Sequence, residues 1–344
     1  MTFTILQSVY KNDKPQFLQE CFQSIKDSTV QPIKILLVKD GSLPSELEQV
    51  ISSWQERLPL HVVGYERNMG LAHALNYGLQ FVDTELVARM DSDDICYPDR
   101  FERQILHFKM DEKLVVLGTG IEEFYRDSKD GLEYRKVRLY PKRTTIASHR
   151  LYRGTPVAHP TVMARTTILK QFGYSESTRC NEDIELWFRL LQAGYEIKTL
   201  QLPLLRFRIT DGTFRRRSLE KSLNEFHIYS GSLFQAHGLN RHFLYLFLRL
   251  ASRLVPGAVN RRLYLSETRT KLFKEDFMRI TSVYGHVFMK AGHLFEALVE
   301  FEESGVRMIK AIQLDSDLNN TIEIPLSEIK MYRLKDHAEI QLNV

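Results

Sequence analysis

The sequence contains few cysteines and no long apolar run. Its 344 residues include three cysteines, Cys21, Cys96 and Cys180, and none of them forms a CxxC pair. This pattern excludes a disulfide scaffold and a cysteine-based zinc site, and it favours the reducing cytoplasm. Because no stretch reaches about 18 uninterrupted apolar residues, we expect no membrane-spanning segment. The opening MTFTILQSVY has neither a basic region nor a long apolar one, so no secretory signal is expected.

The net charge is also small, but the positive charges are unevenly distributed. The whole chain carries a formal charge of +4. Positions 205 to 280 contain 15 Lys and Arg against 6 Asp and Glu, so this region is basic and the remainder is acidic. Such a region predicts an anionic partner, for example phosphate groups or an anionic membrane surface. Nucleic acid is disfavoured because no known reading motif accompanies the arginines.

The first half of the sequence alternates between strand-like and helix-like segments. The apolar runs FTILQSV, IKILLVKDG, LHVVGYE and ELVARM are separated by amphipathic stretches. This alternation predicts βαβ units and a mostly parallel, doubly wound α/β sheet. No Gly-x-Gly-x-x-Gly motif follows the first strand, so dinucleotide binding of the usual kind is disfavoured.

The second half predicts strands with irregular connections and then helices. NEDIELWFRLLQAGY is expected to be a helix with Asn181 as its N-cap, and further helices follow from about position 218. We therefore predict a catalytic domain at 1–212 and a basic helical region at 213–280. The tail at 281–344 is expected to form a helical hairpin and short terminal strands, without an assigned role.

Three carboxylates are crowded together at the end of the fourth predicted strand. Asp91, Asp93 and Asp94 directly follow ELVARM. Their mutual repulsion is costly unless the segment is a solvated turn or faces a cation. Open α/β sheets bind ligands at this end of their strands. Hard oxygen ligands there suit Mg²⁺ or Mn²⁺, particularly when a substrate diphosphate completes the coordination.

Polar motifs occur near other predicted strand ends as well. Ser8 to Tyr10 end the first strand, KDGS ends the second, RNMGLA leads into the third helix, and Glu182-Asp183 opens a late helix. Each motif alone is an ordinary turn, a helix entry or compensation of a helix dipole. Their combination in this order is hard to obtain by chance.

The motifs VKDGS, NMGLAHALNYGL, ARMDSDDI and NEDIELWFRL resemble those of the family 2 glycosyltransferases over roughly residues 1 to 210. The similarity is greatest to small bacterial enzymes that build O-antigen and exopolysaccharide repeat units, including those of the amylovoran type. The resemblance implies a GT-A fold, a Mn²⁺ or Mg²⁺ cofactor and inverting transfer from a nucleotide-sugar. The chain lacks the Gln-x-x-Arg-Trp motif of processive relatives, so we expect transfer of a single sugar.

The resemblance also implies roles for individual residues. The residues expected to contact the nucleotide-sugar are Ser8, Tyr10, Asp40, Arg67, Asn68, Arg89 and Asp91. Asp93 and Asp91 are expected to hold the metal. Asp183, with Glu182 beside it, would be the catalytic base that takes a proton from the acceptor hydroxyl. The residues expected on the acceptor side are His159, Trp187, Arg215 and Arg216.

The basic region leaves two alternatives open. The segment RHFLYLFLRLASRLV is either a core helix with solvated arginines or a surface helix seated on anionic lipid. The second alternative suits an acceptor sugar carried on polyprenyl diphosphate at the cytoplasmic face of the inner membrane. Among the donors used by similar enzymes, UDP-galactose is our best candidate.

Two other classes of function are compatible with the acidic segment. One is another metal enzyme on an α/β sheet, such as a phosphatase that uses Asp91 and Asp93. It would need its aspartates on the first strand of the fold and a distal lysine with an acidic pair, an arrangement that we do not find in the sequence. The other is an inactive nucleotide-sugar or membrane-binding scaffold, against which the retained Asp91, Asp93 and Asp183 argue.

Overall fold

A computed structural model describes most of the chain, in two compact units. The first unit comprises Met1–Tyr125 and Leu139–Tyr264, and the second comprises Arg126–Arg138 and Leu265–Val344. The described residues are 1–126, 133–177, 181–210, 219–253, 277–278, 286–290, 293–303, 306–313, 321–325, 327 and 332–333. The predicted boundaries at 212 and 280 lie outside them. The described helical residues 219–253 belong to the first unit.

The first unit begins with the strand–helix repeats that the sequence predicts. The elements are β1 (Phe3–Val9), α1 (Pro15–Lys26), β2 (Lys34–Asp40), α2 (Ser45–Gln55), β3 (Leu60–Tyr65), α3 (Leu71–Leu79) and β4 (Leu86–Arg89). β1 pairs in parallel with β2 and β4, and β2 pairs in parallel with β3. Helices on both faces bury the strands, which explains the continuous apolar run of β2. The predicted α/β architecture is confirmed.

The rest of the first unit extends this sheet and covers it. The next elements are β5 (Ile95–Cys96), α4 (Arg100–Met110), β6 (Val116–Arg126), β7 (Glu133–Arg138), β8 (Arg143–Thr144), β9 (Met163–Arg165), α5 (Thr166–Phe172), α6 (Glu182–Gln192), β10 (Ile197–Arg208), α7 (Leu219–His237) and α8 (Phe243–Arg253). Strand β7 is the exception among them, because it belongs to the second unit. β9 lies antiparallel between β4 and β6. β10 pairs in parallel with β6 and antiparallel with β5 and β8. Among the described residues, every helix is too short or too polar to cross a membrane.

Alternate residues of the strands enter two separate apolar cores. Ile5 and Ile35 pack in one core with residues of α1, α2 and α4. Leu6 and Leu36 enter the other core, which contains residues of α3, α6, α7 and α8. This alternation follows from the period of two in a strand. The helices after residue 218 therefore share a core with the βαβ part of the chain.

The second unit consists of strands where it is described. β11 (Phe277–Met278) pairs with β7. The other strands are β12 (His286–Lys290), β13 (His293–Glu303), β14 (Val306–Gln313), β15 (Thr321–Pro325) and β16 (Tyr332–Arg333), and they form an antiparallel sheet in the order β15-β14-β13-β12-β16.

The prediction of a helical hairpin in the tail is therefore wrong. The segment HLFEALVEFEE is rich in Leu, Ala and Glu, which favour a helix, but it forms β13. Its Phe and Val residues suit a strand equally well, and strand preference depends mainly on cross-strand packing. Between β13 and β14 the sequence contains Ser304 and Gly305, a dipeptide typical of turns, which agrees with two strands rather than one helix.

A pair of helical glycines tests the packing of α3 on the sheet. A Cβ on Gly78 would lie 2.5 Å from Leu6 Cδ1 and 2.8 Å from Val38 Cγ2, whereas a Cβ on Gly231 in α7 meets nothing within 4 Å. We expect Gly78→Ala to lower the free energy of unfolding by about 1 kcal/mol because the core is overpacked. Gly231→Ala should raise it by about 0.5–1 kcal/mol through helix propensity. Urea unfolding of both variants measures the difference, and equal effects would contradict the packing described.

Candidate active site

The carboxyl ends of three neighbouring parallel strands meet at one edge of the sheet. β1 lies between β2 and β4, with Ser8 beside Val38 and Leu6 beside Arg89. Ser8 and Tyr10 at the end of β1 are half-buried. The ends of β2 and β4 lead into Asp40 and the acidic segment, so the structure brings these predicted residues to one edge. Such an edge is where open α/β sheets bind ligands.

The Asp40 carboxylate organises the loop that precedes α3. It accepts hydrogen bonds from Tyr65 Oη (3.0 Å), Asn68 Nδ2 (2.8 Å), Met69 N (2.7 Å) and Gly70 N (3.1 Å). These donors occupy both carboxylate oxygens, which offer about four acceptor positions. The predicted contact of Asp40 with the nucleotide-sugar stays a prediction. In this structure the side chain positions the loop that borders the predicted nucleotide pocket.

Glycines allow this loop to approach the end of β2. Gly41 has a φ of +92°, and a Cβ there would lie 2.8 Å from the Asn68 nitrogen. Only glycine satisfies both the left-handed backbone and the close approach. The side chains of Arg67 and Asn68 are exposed beside it. The structure thus leaves Arg67 accessible, whereas the Asn68 amide already donates to Asp40.

The acidic segment forms a compact group of carboxylates. One oxygen from each of Asp91, Asp93 and Asp94 lies within 4.8 Å of the others. Asp91 Oδ1 is 2.5 Å from Arg89 Nη1, and Arg89 is itself buried at the end of β4. Because like charges at this distance repel one another, a bound cation would stabilise the group.

The chemistry of this group fits a divalent ion. Asp94 is completely buried, and its Oδ2 has no hydrogen-bond partner in the described part of the chain. Burial, together with the charges of Asp93 and Asp91, raises the pKa of Asp94 well above its ordinary value. Carboxylate oxygens in such a set are the ligands that Mg²⁺ and Mn²⁺ prefer. The residues present therefore fit the predicted cofactor.

Arg208 at the end of β10 holds the acidic turn in place. Its backbone N–H donates to Asp94 Oδ1 at 2.9 Å, and its Nε donates to the Asp93 carbonyl at 2.7 Å. The guanidinium also pairs with Glu20 and lies 4.1 Å from the centre of the Phe17 ring. In the sequence, Arg208 is part of the basic region at 205 to 280, which predicts only an anionic partner. Its position beside the acidic turn depends on the pairing of β10, which the sequence does not reveal.

Two buried side chains support the same turn from below. Gln7 Nε2 on β1 donates to the Asp91 carbonyl at 3.2 Å. Arg100, fully buried on α4, donates to the Arg89 carbonyl at 2.8 Å and to Gln104 Oε1 at 3.2 Å. Burial lowers the pKa of Arg100 to about 10. Both contacts orient the backbone that presents the carboxylates.

Asp183 and Glu182 occupy the first turn of α6. Burial, and secondly the negative charge of Glu182, raises the pKa of Asp183 to about 7. Asn181 precedes the helix in a left-handed conformation with φ of 63°, and its side chain makes no capping hydrogen bond. Its Nδ2 instead donates to the Lys221 carbonyl on α7 at 3.0 Å. Asn181 is thus the N-cap residue of α6, as predicted, but its side chain does not cap the helix because it bonds to α7.

Tyr174 connects the strand ends with α6. His159 Nε2 lies 3.0 Å from Tyr174 Oη, and burial followed by the charge of Arg89 lowers the pKa of His159 well below its ordinary value. Burial raises the pKa of Tyr174; Arg89 opposes this increase, and the charges of Asp183 and Glu182 add to it. Tyr174 is thus within electrostatic range of both Arg89 and the carboxylates of α6.

Two predicted acceptor residues lie below the surface. Trp187 is completely buried and packs edge-on against His159, with ring centres 6.0 Å apart. Because α6 turns this side chain into the core, Trp187 presents no exposed surface, and its place on the acceptor side stays a prediction. His159 is also buried and bonded to Tyr174, so it supports the site from behind. Arg215 and Arg216 lie outside the described residues.

Known proteins are similar to this chain in sequence and in fold. The model of the family described as Glycosyl transferase family 2 matches residues 6–173. An uncharacterised glycosyltransferase of Haemophilus influenzae is 33% identical over 267 residues, 77% of this chain and 98% of that protein. The amylovoran biosynthesis glycosyltransferase AmsE of Erwinia amylovora is 32% identical over 76% of this chain and 97% of that protein.

One relative has a name that specifies its donor and acceptor. It is the UDP-Gal:alpha-D-GlcNAc-diphosphoundecaprenol beta-1,3-galactosyltransferase of Escherichia coli, 30% identical over 76% of this chain and 94% of that protein. Among solved structures, S. aureus TarS 1-349 in complex with UDP matches this chain with a TM-score of 0.51. The match covers 88% of this chain and 98% of the TarS chain. At 14% identity, this likeness shows the fold alone.

The raised pKa of Asp183 predicts that this residue destabilises the folded protein at alkaline pH. An aspartate in the unfolded chain has a pKa of about 4. Between pH 4 and 7 the folded protein therefore keeps a proton on Asp183 that the unfolded chain has lost, and the free energy of unfolding decreases as the pH rises. This decrease in the free energy of unfolding is absent below about pH 4 and complete above about pH 7. Asp183→Asn should therefore raise the melting temperature at pH 8 and change it little at pH 4. Thermal unfolding at both pH values measures this, with Glu185→Asn as a half-buried control on the same helix. A pH-independent effect of Asp183→Asn would contradict it.

Proposed function

Because the chain belongs to glycosyl transferase family 2, we propose that it is an inverting transferase for a single sugar. The donor is a nucleotide-sugar, and the acceptor is a sugar carried on polyprenyl diphosphate. The observation that carries this proposal is the presence of two separate carboxylate groups with different environments. One is the acidic turn at the strand ends, and the other is Asp183, whose pKa lies near neutrality.

The acidic turn and its neighbours serve the donor side. Asp93 and Asp91, with Asp94 behind them, would hold Mg²⁺ or Mn²⁺. When bound, that ion neutralises the charge that develops on a diphosphate leaving group. Arg89 lies at the same place and orients Asp91 through their ion pair. Ser8, Tyr10 and Arg67 lie at the edge where the nucleotide is expected to bind.

Asp183 serves the acceptor side as the general base. A sugar hydroxyl has a pKa far above 7, so its attack on the anomeric carbon requires a group that takes its proton. A carboxylate with a pKa near 7 is a stronger base than an ordinary aspartate and is still ionised in part at neutral pH. Positioned bases contribute about 10²–10⁴-fold to rate. One base without a covalent intermediate implies inversion at the anomeric carbon.

The names of two relatives support the proposed substrates. The Escherichia coli relative is named for galactosyl transfer to a diphosphoundecaprenol-linked sugar. The Erwinia amylovora relative is named for amylovoran biosynthesis. We propose UDP-galactose as the donor and a lipid-linked N-acetylhexosamine as the acceptor, in the biosynthesis of O-antigen, capsule or exopolysaccharide. Such an acceptor is presented at the cytoplasmic face of the inner membrane.

The outer face of α8 supports a peripheral position on that membrane. Phe243 and Leu246 are buried against the core, while Leu244, Phe247 and Leu248 are 62%, 55% and 57% exposed. Exposed apolar residues on one helix face mark an interaction surface. Arg153 lies over the neighbouring Tyr245 ring, at 5.1 Å from its centre, and Arg241 adds a positive charge nearby. This combination suits an anionic lipid surface.

The transfer itself is tested with a panel of nucleotide-sugars, Mn²⁺ and lipid-linked acceptors, by following release of the nucleotide diphosphate. Asp93→Asn should weaken metal-dependent binding of UDP by at least about tenfold and reduce turnover with it, since a metal ligand is lost. Asp183→Asn should leave UDP affinity near wild type and lower turnover by at least about 10²-fold. Calorimetry and steady-state kinetics separate the two effects.

Several outcomes would contradict the assignment. Normal turnover of Asp183→Asn together with inactive Glu182→Gln would identify the other carboxylate as the base. A clear preference for a donor other than UDP-galactose would reject the donor. Phosphate release from phosphomonoesters without sugar transfer would indicate a phosphatase, and donor binding without any turnover would indicate a scaffold.

Membrane association is tested by co-sedimentation with vesicles. Vesicles that contain phosphatidylglycerol should bind the protein, and pure phosphatidylcholine vesicles should bind it weakly. The double variant Phe247→Glu/Leu248→Glu should lose at least about tenfold in affinity, because two apolar side chains no longer enter the lipid interface. Leu106→Glu, which replaces a 51% exposed leucine on α4, is the control and should bind as wild type. Equal losses in both variants would argue against the α8 face.

A further inference from the structure

The loop between β1 and α1 is closed by reciprocal hydrogen bonds between Tyr10 and Asp13. The Asp13 backbone N–H donates to the Tyr10 carbonyl at 3.0 Å. In return, the Tyr10 backbone N–H donates to Asp13 Oδ2 at 3.2 Å. Two residues later, α1 begins at Pro15. Because a carboxylate that accepts from nearby backbone fixes the local chain path, Asp13 determines how the chain leaves β1.

The same carboxylate oxygen also binds the acidic turn, residues 91–94. Ser92 Oγ donates to Asp13 Oδ2 at 2.9 Å, and Ser92 is buried between Asp91 and Asp93 in the chain. The two bonded residues are 79 positions apart, but β1 and β4, which lead to them, lie side by side. A hydrogen bond from a hydroxyl to a carboxylate is stronger than one between neutral groups. One oxygen atom therefore connects the loop that carries Tyr10 with the turn that carries the three carboxylates.

Two other contacts of the acidic turn come from within the sheet. Arg208 on β10 donates to the Asp93 carbonyl, and Gln7 on β1 donates to the Asp91 carbonyl. Both contacts fix the backbone of the turn relative to the strands. Asp13 differs from them because it belongs to the loop that carries a residue expected to contact the nucleotide. Its bond to the turn therefore joins the two parts of the proposed donor site.

We propose that Asp13 is a positioning residue that couples the β1–α1 loop to the acidic turn, so that binding of a divalent ion and binding of the nucleotide strengthen each other. This inference rests on the proposed function, because it requires both ligands at this edge of the sheet. Asp13 acts through Ser92 and Tyr10 and does not itself touch the substrate. The physical reason is that a ligand which orders one segment reduces the entropy that the other ligand must remove from the connected segment.

Calorimetry of UDP binding in Mn²⁺ and in EDTA tests this coupling, because the ratio of the two affinities measures how much the ion helps the nucleotide. Ser92→Ala should leave the affinity in EDTA near wild type and lower the ratio by at least about threefold, since the turn loses a hydrogen bond to a charged group. Asp13→Ala should lower the ratio and also the affinity in EDTA, because the Tyr10 backbone loses its acceptor. Asp13→Asn should keep the ratio within about twofold of wild type, because an amide oxygen accepts the same hydrogen bonds.

A double variant and a matched control complete the experiment. Asp13→Ala/Ser92→Ala should show the same affinity ratio as Asp13→Ala alone, because both changes remove the same hydrogen bond. The control is Asp27→Ala at the other end of α1, where an exposed carboxylate accepts from Gln23 Nε2 at 2.8 Å, and its ratio should equal that of wild type. Thermal unfolding without ligands checks that each variant is folded. If Asp13→Ala does not fold, Ser92→Ala, which removes a single hydroxyl, decides the test.

The results distinguish this proposal from the proposed function. If the wild-type protein binds UDP equally well in Mn²⁺ and in EDTA, the proposed metal role fails and the role of Asp13 fails with it. If the effect of Mn²⁺ is lost in Asp93→Asn but intact in folded Ser92→Ala, only the role of Asp13 is rejected. Additive losses in the double variant, or an equal loss in Asp27→Ala, would also reject it. A loss in Asp13→Asn as large as in Asp13→Ala would show that charge, and not position, is what Asp13 supplies.

Discussion

Repulsion between carboxylates at the strand ends is the constraint on which the rest of this structure depends. Asp91, Asp93 and Asp94 lie within a few ångströms of one another, and one of them is completely buried. Such a group persists only if surrounding donors and charges orient it. β4 contributes Arg89, and β10 contributes Arg208. The pairing of distant strands is thus directly linked to the charge balance of the site.

Asp40 shows the same relation between a carboxylate and its donors, with a different result. Its oxygens are occupied by a tyrosine, an asparagine and two backbone N–H groups of one loop. That arrangement makes the end of β2 and the entry of α3 a single rigid edge. In the acidic turn, by contrast, Asp94 Oδ2 lacks a hydrogen-bond partner within the described residues. A carboxylate whose oxygens are all hydrogen-bonded positions the backbone, whereas the unpartnered Asp94 oxygen beside two like charges is suited to face a cation.

The helices after residue 218 contribute more than a surface. Tyr229, Leu233, Phe243 and Leu246 enter the core that also contains α6. One side of α8 therefore fixes α7 against the helix that carries Asp183, and its other side leaves leucines and a phenylalanine exposed. Helix α8 therefore has apolar residues both on the side that packs in the core and on the side that is exposed. The proposed membrane contact and the packing of α6 would then depend on the same short helix.

The sequence alone determined the α/β fold and the motifs at the strand ends, because hydrophobic periodicity and turn residues are local signals. It also placed Asp91, Asp93 and Asp183 at element boundaries, which needs no knowledge of distant contacts. Tertiary structure decided which charges meet: Arg208 and Arg249 belong to one basic stretch, yet one pairs with Glu20 and the other with Glu225. It likewise buried Trp187 and turned a helix-favouring tail into β13, because cross-strand and core packing outweigh local propensity.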